Sequence, residues 1–396
     1  MTSPHLRKRH RKSERFRYYG IAAVCMSALL LLILIGSVVM PGLRGFTQPQ
    51  IAVTLADGDA LSLVNIQKAM LQMVANNADR ATKRALFSLV TTSAVTMAHR
   101  DKADNNTLWI PASDKAAYYL KGLMDESLPA YARGLTDQQI EWLKQMRDSG
   151  KTRISFNWDL FQRGDSRMPE KAGFGGSVIG SLLMILICMG VAFPVGILAA
   201  VYLEEFSRKG KIRDLIEVTI NNLAAVPSIV FGLLGLSVFL LFFGLPRSSP
   251  LVGGLTLALM VLPVIIISTR VSLQSIPPSI REAALALGAS PLQAVFHHVV
   301  PLAMPGIMTG TILSVARALG ETAPLIMIGM VAFIADIPHI FTDPATTMPV
   351  QVYIWASSPE RGFIDKTASG ILLLLIVLLL LNAVAIFLRK RYEVRW

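Results

Sequence analysis

The chain has 396 residues, 53% of them hydrophobic, and a mean hydropathy of +0.52, values too apolar for an ordinary soluble protein although the length alone would allow two or three domains. Its formal net charge of +12 does not mark a nucleic-acid binder, because most of the basic excess lies at the two ends and in short loops beside apolar runs, where it orients membrane spans. Cys25 and Cys188 both fall within apolar runs, which argues against a disulfide or a metal site.

Residues 1–20 carry Arg7, Lys8, Arg9, Arg11, Lys12, Arg15 and Arg17, and the apolar run Ile21–Met40 follows. That run is longer than a signal-peptide core and no small-x-small pattern closes it before Pro41, so it reads as a retained membrane anchor over 21–40. Residues 41–174 form a polar insert of mixed charge, long enough to be translocated despite its basic residues and therefore expected to be extracytoplasmic. Leu61–Ala75 and Ala81–Val90 have apolar residues at helical intervals, and Thr136 with Gln139 starts a further helix that runs toward Gly150. Arg153–Phe161 alternates more like a short strand. Gly150-Lys151-Thr152 resembles the end of a phosphate loop, but Gln145 stands where its leading glycine would be, so the chain shows no ATPase of its own.

Residues 175–388 contain five more runs of roughly the 20 residues needed to cross a bilayer: Ser177–Leu203, Leu223–Phe243, Leu251–Thr269, Gly306–Met330 and Ile371–Leu388. Arg389, Lys390, Arg391 and Arg395 mark the tail 389–396, and both ends are expected to be cytoplasmic. Six spans then place the loop holding Arg208, Lys209, Lys211 and Arg213 on the cytoplasmic side, leaving only Arg247, Arg361 and Lys366 in the opposite short loops. The expected fold is an all-α polytopic membrane protein of six transmembrane helices, with a mainly helical extracytoplasmic insert between helices 1 and 2.

Four prolines, Pro194, Pro227, Pro263 and Pro324, interrupt these spans, and the backbone groups they free need protein or a water-filled cavity to satisfy them. They fit a pathway or simple packing kinks. Gly176 with Gly180, and Gly306 with Gly310, suit close helix contacts. The fifth span contains Arg317 and Glu321, four residues apart and expected on one helical face. Ionised groups at membrane depth usually face a bundle interior or an aqueous path. The two could neutralise each other and pin the helix. Alternatively, the guanidinium, shaped to grip an oxyanion with two hydrogen bonds, forms a transient anion site that Glu321 holds in place. Arg270, at the cytoplasmic end of the fourth span, is a weaker candidate for that path, since snorkelling to headgroups explains it equally well.

Ser279–Pro305 reads as a compact helix-turn-helix between the fourth and fifth spans. Ser279 with Glu282 has the form of a capping box, and Gly288 sits where the first helix needs a left-handed stop. Ser290 caps the second helix, Pro291 suits its first position, Gln293 completes another box, and Pro301 ends the run. Leu292, Val295, Phe296, Val299 and Val300 make one apolar stripe along it. A hairpin lying on the lipid surface is the plainer alternative.

Glu282-Ala283-Ala284, then Gly288, then Val300-Pro301 resembles the EAA loop of ABC importer permeases, here 272–305, with His298 where that family usually has an aliphatic residue. YLEEF at Tyr202–Phe206, NNLAAVPSIVFGLLGL at Asn221–Leu236, LTLALMVLPVIIISTR at Leu255–Arg270, ARALGETAPL at Ala316–Leu325 and MPVQVYIW at Met348–Trp355 resemble phosphate-specific permeases of the PstA type. The resemblance covers roughly Arg153 to the end of the chain. It implies a type I importer permease core in the inner membrane, in which Glu282, Ala283, Ala284, Gly288 and Pro301 form the coupling helix that docks on a separate ATPase. It also implies import of inorganic phosphate together with a sister permease, an ATP-binding subunit dimer and an extracytoplasmic phosphate-binding protein. The chain itself would catalyse no bond chemistry and hold no cofactor or metal, ATP and Mg belonging to the partner ATPase. Besides those subunits its surroundings would be membrane lipid, with no nucleic acid. The insert is longer than the family usually has. Rival readings are a permease for another oxyanion such as sulfate or molybdate, a membrane sensor with an extracytoplasmic domain, and a secondary transporter or channel.

Overall fold

A computed structural model describes residues 4–56, 61–74, 79–91, 93–100 and 107–392. The expected helix end at Ala75 and the basic Arg395 lie outside the described residues. The chain opens with one long helix, α1 (Pro4–Gly45), whose apolar stretch Ser13–Gly45 is followed at once by β1 (Thr47–Thr54).

The insert is mainly helical, as expected, and its helices pack on a small sheet. Helices α2 (Leu63–Val74), α3 (Arg80–Phe87) and α4 (Ala94–Met97) precede strands β2 (His99–Arg100) and β3 (Thr107–Pro111). Helices α5 (Asp114–Leu120), α6 (Ala130–Arg133) and α7 (Asp137–Asp148) follow, then β4 (Thr152–Phe156) and α8 (Asp159–Gln162). The four strands form an antiparallel sheet in the order β2-β3-β1-β4. Ile51 and Val53 oppose Ile110 and Leu108, and all four lie on the face that the helices cover with Ile66, Met70, Leu86, Leu89 and Leu143. The expected capping box of α7 is present, Thr136 accepting from the Gln139 N–H while Gln139 accepts from the Thr136 N–H at 2.9 Å. The expected strand over Arg153–Phe161 ends at Phe156, and a helical turn takes over at Asp159.

Beyond the insert come α9 (Gly175–Val201), α10 (Lys211–Ala224), α11 (Ser228–Gly235), α12 (Pro250–Gln274), α13 (Pro278–Ala286), α14 (Pro291–Ala294), α15 (Val300–Gly320), α16 (Ala323–Met327), α17 (Met348–Ala356) and α18 (Gly362–Tyr392). Among the described residues five stretches are long and apolar enough to cross a membrane: Ser13–Gly45, Gly175–Phe206, Pro250–Gln274, Pro291–Gly320 and Gly362–Val384. The sixth is the pair α10 and α11, bent by 101° where Pro227 stands. The expected third span Leu223–Phe243 is therefore a bent pair rather than one rod.

The expected fifth span, Gly306–Met330, is also corrected. Its helix begins at Pro291 and stops at Gly320, and a separate short helix with Pro324 in its first turn follows. Pro227 and Pro324 thus stand at true breaks, whereas Pro194 and Pro263 sit inside continuous helices. The two broken segments share one core, Phe231 of α11 packing with Ala318, Leu325, Ile328 and residues of α9 and α12. Helix α15 approaches α12 closely, since a Cβ on Gly306 or Gly310 would meet Ser272 Oγ at 2.2 Å or Ser268 Oγ at 2.1 Å.

Bonds across the insert's base fix it to the first and last spans. Lys121 Nζ donates to the Arg44 carbonyl at 2.7 Å and pairs with Asp365 at 3.5 Å. Asp114 accepts from the Gly362 N–H at the start of α18, and Ser369 Oγ donates to the Gly42 carbonyl at 2.8 Å. Burial, with the nearby Glu170 charge, pushes the Asp114 carboxyl above its ordinary value. On the opposite flank Trp355 Nε1 donates to Asp165 at 2.8 Å.

Candidate functional site: the elbow and the broken span

The elbow between α12 and α15 forms by capping. Pro278 takes the first helical position of α13, so its N-cap is Pro277 and Ser279 already lies inside the helix. The expected Ser279–Glu282 capping box is accordingly absent. The stop is as expected: Gly288 has φ +89°, its N–H donates to Leu285 O at 3.0 Å, and the Ala289 N–H donates to Ala284 O at 3.1 Å. That pair of bonds is a Schellman motif, in which a residue with a Cβ would be strained. The second capping box is complete, Gln293 N–H donating to Ser290 Oγ at 3.3 Å and Ser290 N–H to Gln293 Oε1 at 2.9 Å.

Pro301 does not end the second helix. A wide π turn over Val295–Val299 precedes it, with the Val300 N–H donating to Val295 O, and the chain continues through Pro301 into α15. The register slip loosens the turn in which a proline ring would clash, so the helix survives. The apolar stripe splits: Val295 and Val299 pack with Val201, Leu273 and Ile276, while Leu292 and Phe296 stay exposed. Of the coupling residues, Ala284 is buried, whereas Glu282, Ala283 and Gly288 face outward.

Two neighbours that the sequence reading did not single out fix this elbow. Arg281 grips Glu205 through Nε, at 3.1 and 2.9 Å from its two oxygens, and through Nη2 at 2.5 Å. It also donates to the carbonyls of Ile276 at 2.9 Å and Leu273 at 3.0 Å. The Glu205 side chain is only 7% exposed. Such a bidentate pair, with two further donors directed at carbonyls, holds geometry as well as charge. The signal available in sequence was YLEEF itself: two carboxylates closing an apolar run need cations nearby.

The adjacent Glu204 draws in Arg270 and Arg213, both at 3.4 Å, and Gln274 at 3.1 Å, while Glu217 meets Arg213 at 3.0 Å and Arg270 at 2.5 Å. Arg270 is therefore held within the protein by two carboxylates.

At the other end of α15 the arrangement is looser. Glu321 has left the helix, with φ −78° and ψ 127°, so the pair does not share a helical face as expected. Arg317 Nε still lies 3.5 Å from Glu321 Oε1, with the arginine side chain 47% and the glutamate 21% exposed. No group of three or more metal-ligating side chains occurs among the described residues. The site thus consists of a capped elbow locked to the end of α9 and, one helix length away, a half-exposed guanidinium at a break in the span.

Residues 192–396 match the family described as "Binding-protein-dependent transport system inner membrane component", and residues 3–130 match a domain of unknown function, DUF3333. The chain belongs to the first of these: it is the membrane component of a binding-protein-dependent transport system, a permease rather than an enzyme.

Among individual proteins it is similar to the phosphate transport system permease protein PstA 1 of Mycobacterium tuberculosis (strain CDC 1551 / Oshkosh), 33% identical over 226 residues that make up 56% of this chain and 73% of that one. It is likewise 33% identical to PstA of Yersinia pestis over 230 residues, 57% of this chain and 76% of that protein. The inward-facing MetNI methionine ABC transporter aligns with 56% of this chain and 95% of its own at 17% identity, with a TM-score of 0.44.

Proposed function

We propose that the chain is the transmembrane permease subunit of an ATP-driven importer of inorganic phosphate. Its relatives are named for phosphate transport, and the family match over residues 192–396 holds both the elbow and the broken span. The observation that carries the reading is Arg317, a cation with one long contact and nearly half its side chain open, placed where the helix stops. An oxyanion can take the guanidinium's remaining donors without first breaking a tight pair. Glu321 limits the affinity, so that the anion is released.

In this reading the elbow of Glu282, Ala283, Ala284 and Gly288 docks on an ATP-binding subunit dimer that carries ATP and Mg, a sister permease completes the path, and an extracytoplasmic phosphate-binding protein delivers the anion. The insert and the elbow lie on opposite sides of the inner membrane, the elbow and both termini being cytoplasmic. Arg270 serves the fold through Glu204 and Glu217, and substrate meets Arg317 instead. Import of another oxyanion, sulfate or molybdate, is the second reading, since a guanidinium grips any tetrahedral oxyanion.

The test is uptake of labelled phosphate by vesicles that hold the purified complex and ATP, with sulfate and molybdate as competitors. Phosphate uptake that needs ATP and resists both competitors is the expected result. Equal competition by sulfate would leave the class and overturn the substrate, and uptake by the isolated chain without ATPase would overturn both.

A further inference from the structure

The sheet of the insert is covered unevenly. Partners directly opposite across an antiparallel ladder share a face, so Ile154 and Phe156, opposite Pro49 and Thr47, lie on the same face as Ile51. Helices cover that face over Ile51 and Val53 but leave it open at β4, where Ile154 is 58% and Phe156 48% exposed. Trp158, just beyond the strand, is 67% exposed and packs edge-on against Phe156 at 4.9 Å. Phe46 and Phe161 complete the cluster, each with its ring centre 6.1–6.3 Å from Phe156. β4 is the outer strand of the sheet, paired to β1 alone. An edge strand that shows large apolar side chains to water invites aggregation, and proteins usually blunt it with charge or proline.

The position of the cluster along the membrane normal is set by spans on two sides. Gly45, the last residue of α1 and the one before Phe46, lies five residues past the apolar run that ends at Met40. At 1.5 Å per residue this is about 7–8 Å, the depth of one headgroup layer. The bond from Ser369 Oγ to the Gly42 carbonyl sets the entrance of α18, whose apolar run begins at Ile371, at the same level. On the other side α8, which carries Phe161, is bonded to the first turn of α9: the Phe174 N–H donates to Leu160 O and the Gly175 N–H to Arg163 O at 2.8 Å. Tryptophan and its aromatic neighbours concentrate at this depth, where an apolar ring body meets a wet polar tip.

We infer that the open edge of the insert, Ile154, Phe156 and Trp158 with Phe46 and Phe161 behind them, rests in the headgroup layer of the adjoining leaflet, so that lipid is the partner that covers it. The insert is then a membrane-seated body, not a domain standing free in solution.

The experiment is fluorescence of the full chain, with whatever subunits co-purify, in vesicles of ordinary and of brominated phosphatidylcholine. The chain has five tryptophans, so the signal of Trp158 is read as wild type minus Trp158→Phe, a mild change at an exposed position. The expected result is that this difference signal loses most of its intensity in brominated lipid and little to iodide in the water. Adding Phe156→Trp to Trp158→Phe should restore a lipid-quenched signal. A difference signal quenched by iodide but intact in brominated lipid would overturn the inference, because the edge would face water. Resistance to both quenchers would also overturn it, because another protein would cover the edge.

Discussion

Two arginine–glutamate pairs lie at the two ends of the elbow and span formed by α13 to α15, and they are built oppositely. Arg281 spends its donors on Glu205 and on two backbone carbonyls, with the carboxylate buried. Arg317 has one contact of 3.5 Å and keeps nearly half its side chain open. The difference shows how a charged pair near a membrane is to be judged: by how many donors it leaves unused rather than by its presence. A guanidinium with most of its donors spent is a fastening. One with donors to spare in the same helix system has room for an anion, the role proposed above for Arg317.

The largest effect that would break this comparison is at the loose pair. Arg317→Ala should reduce phosphate uptake to background while the complex still co-purifies, and normal uptake would sink the anion-site reading. At the tight pair the loss should be structural. Arg281→Ala strands a buried carboxylate, a change that costs about 3–5 kcal/mol when a buried pair loses one member. Its thermal midpoint in detergent should therefore fall well below that of Arg317→Ala, and equal midpoints would abolish the contrast. Glu282→Lys or Gly288→Pro should release the ATPase on co-purification, whereas Arg317→Ala should not.

A smaller change sharpens the same point. Gly288→Ala places a Cβ on a residue with φ +89°, a conformation that costs about 1–2 kcal/mol for an L-residue, so ATPase retention should weaken without vanishing. The smallest effect concerns Asp114, whose raised pKa means that the folded state holds its proton more firmly than the unfolded state does. Its contribution is fullest below the ordinary carboxyl range and is lost as pH rises through the raised value. Asp114→Asn keeps an acceptor for the Gly362 N–H and removes the charge. The variant's midpoint should thus gain on wild type as pH rises above the ordinary carboxyl range, and parallel curves would count against the burial of that carboxylate.

Sequence made the membrane part of this molecule legible because its signals are local. A glycine stop at 288, the cap at Ser290 and Gln293, and long apolar runs each depend on a few adjacent residues. The errors arose where a neighbour overrode such a signal. Pro277-Pro278 started α13 two residues early and took Ser279 out of its cap, and the π turn at Val295–Val299 carried the chain through Pro301. Of the sheet only β4 was legible, for the opposite reason, since β1 pairs with it across roughly a hundred residues and β2 has two residues. The locks on Arg270 and Arg281 reach back 66 and 76 residues to Glu204 and Glu205, a distance over which no spacing rule operates.

The bonds that tie the insert to Arg44, Gly362 and Asp365, with the Ser369–Gly42 bond between the two spans themselves, have a mechanical consequence. They bolt the first and final spans to a common plate, so that these two helices are held together at the level where the insert joins them.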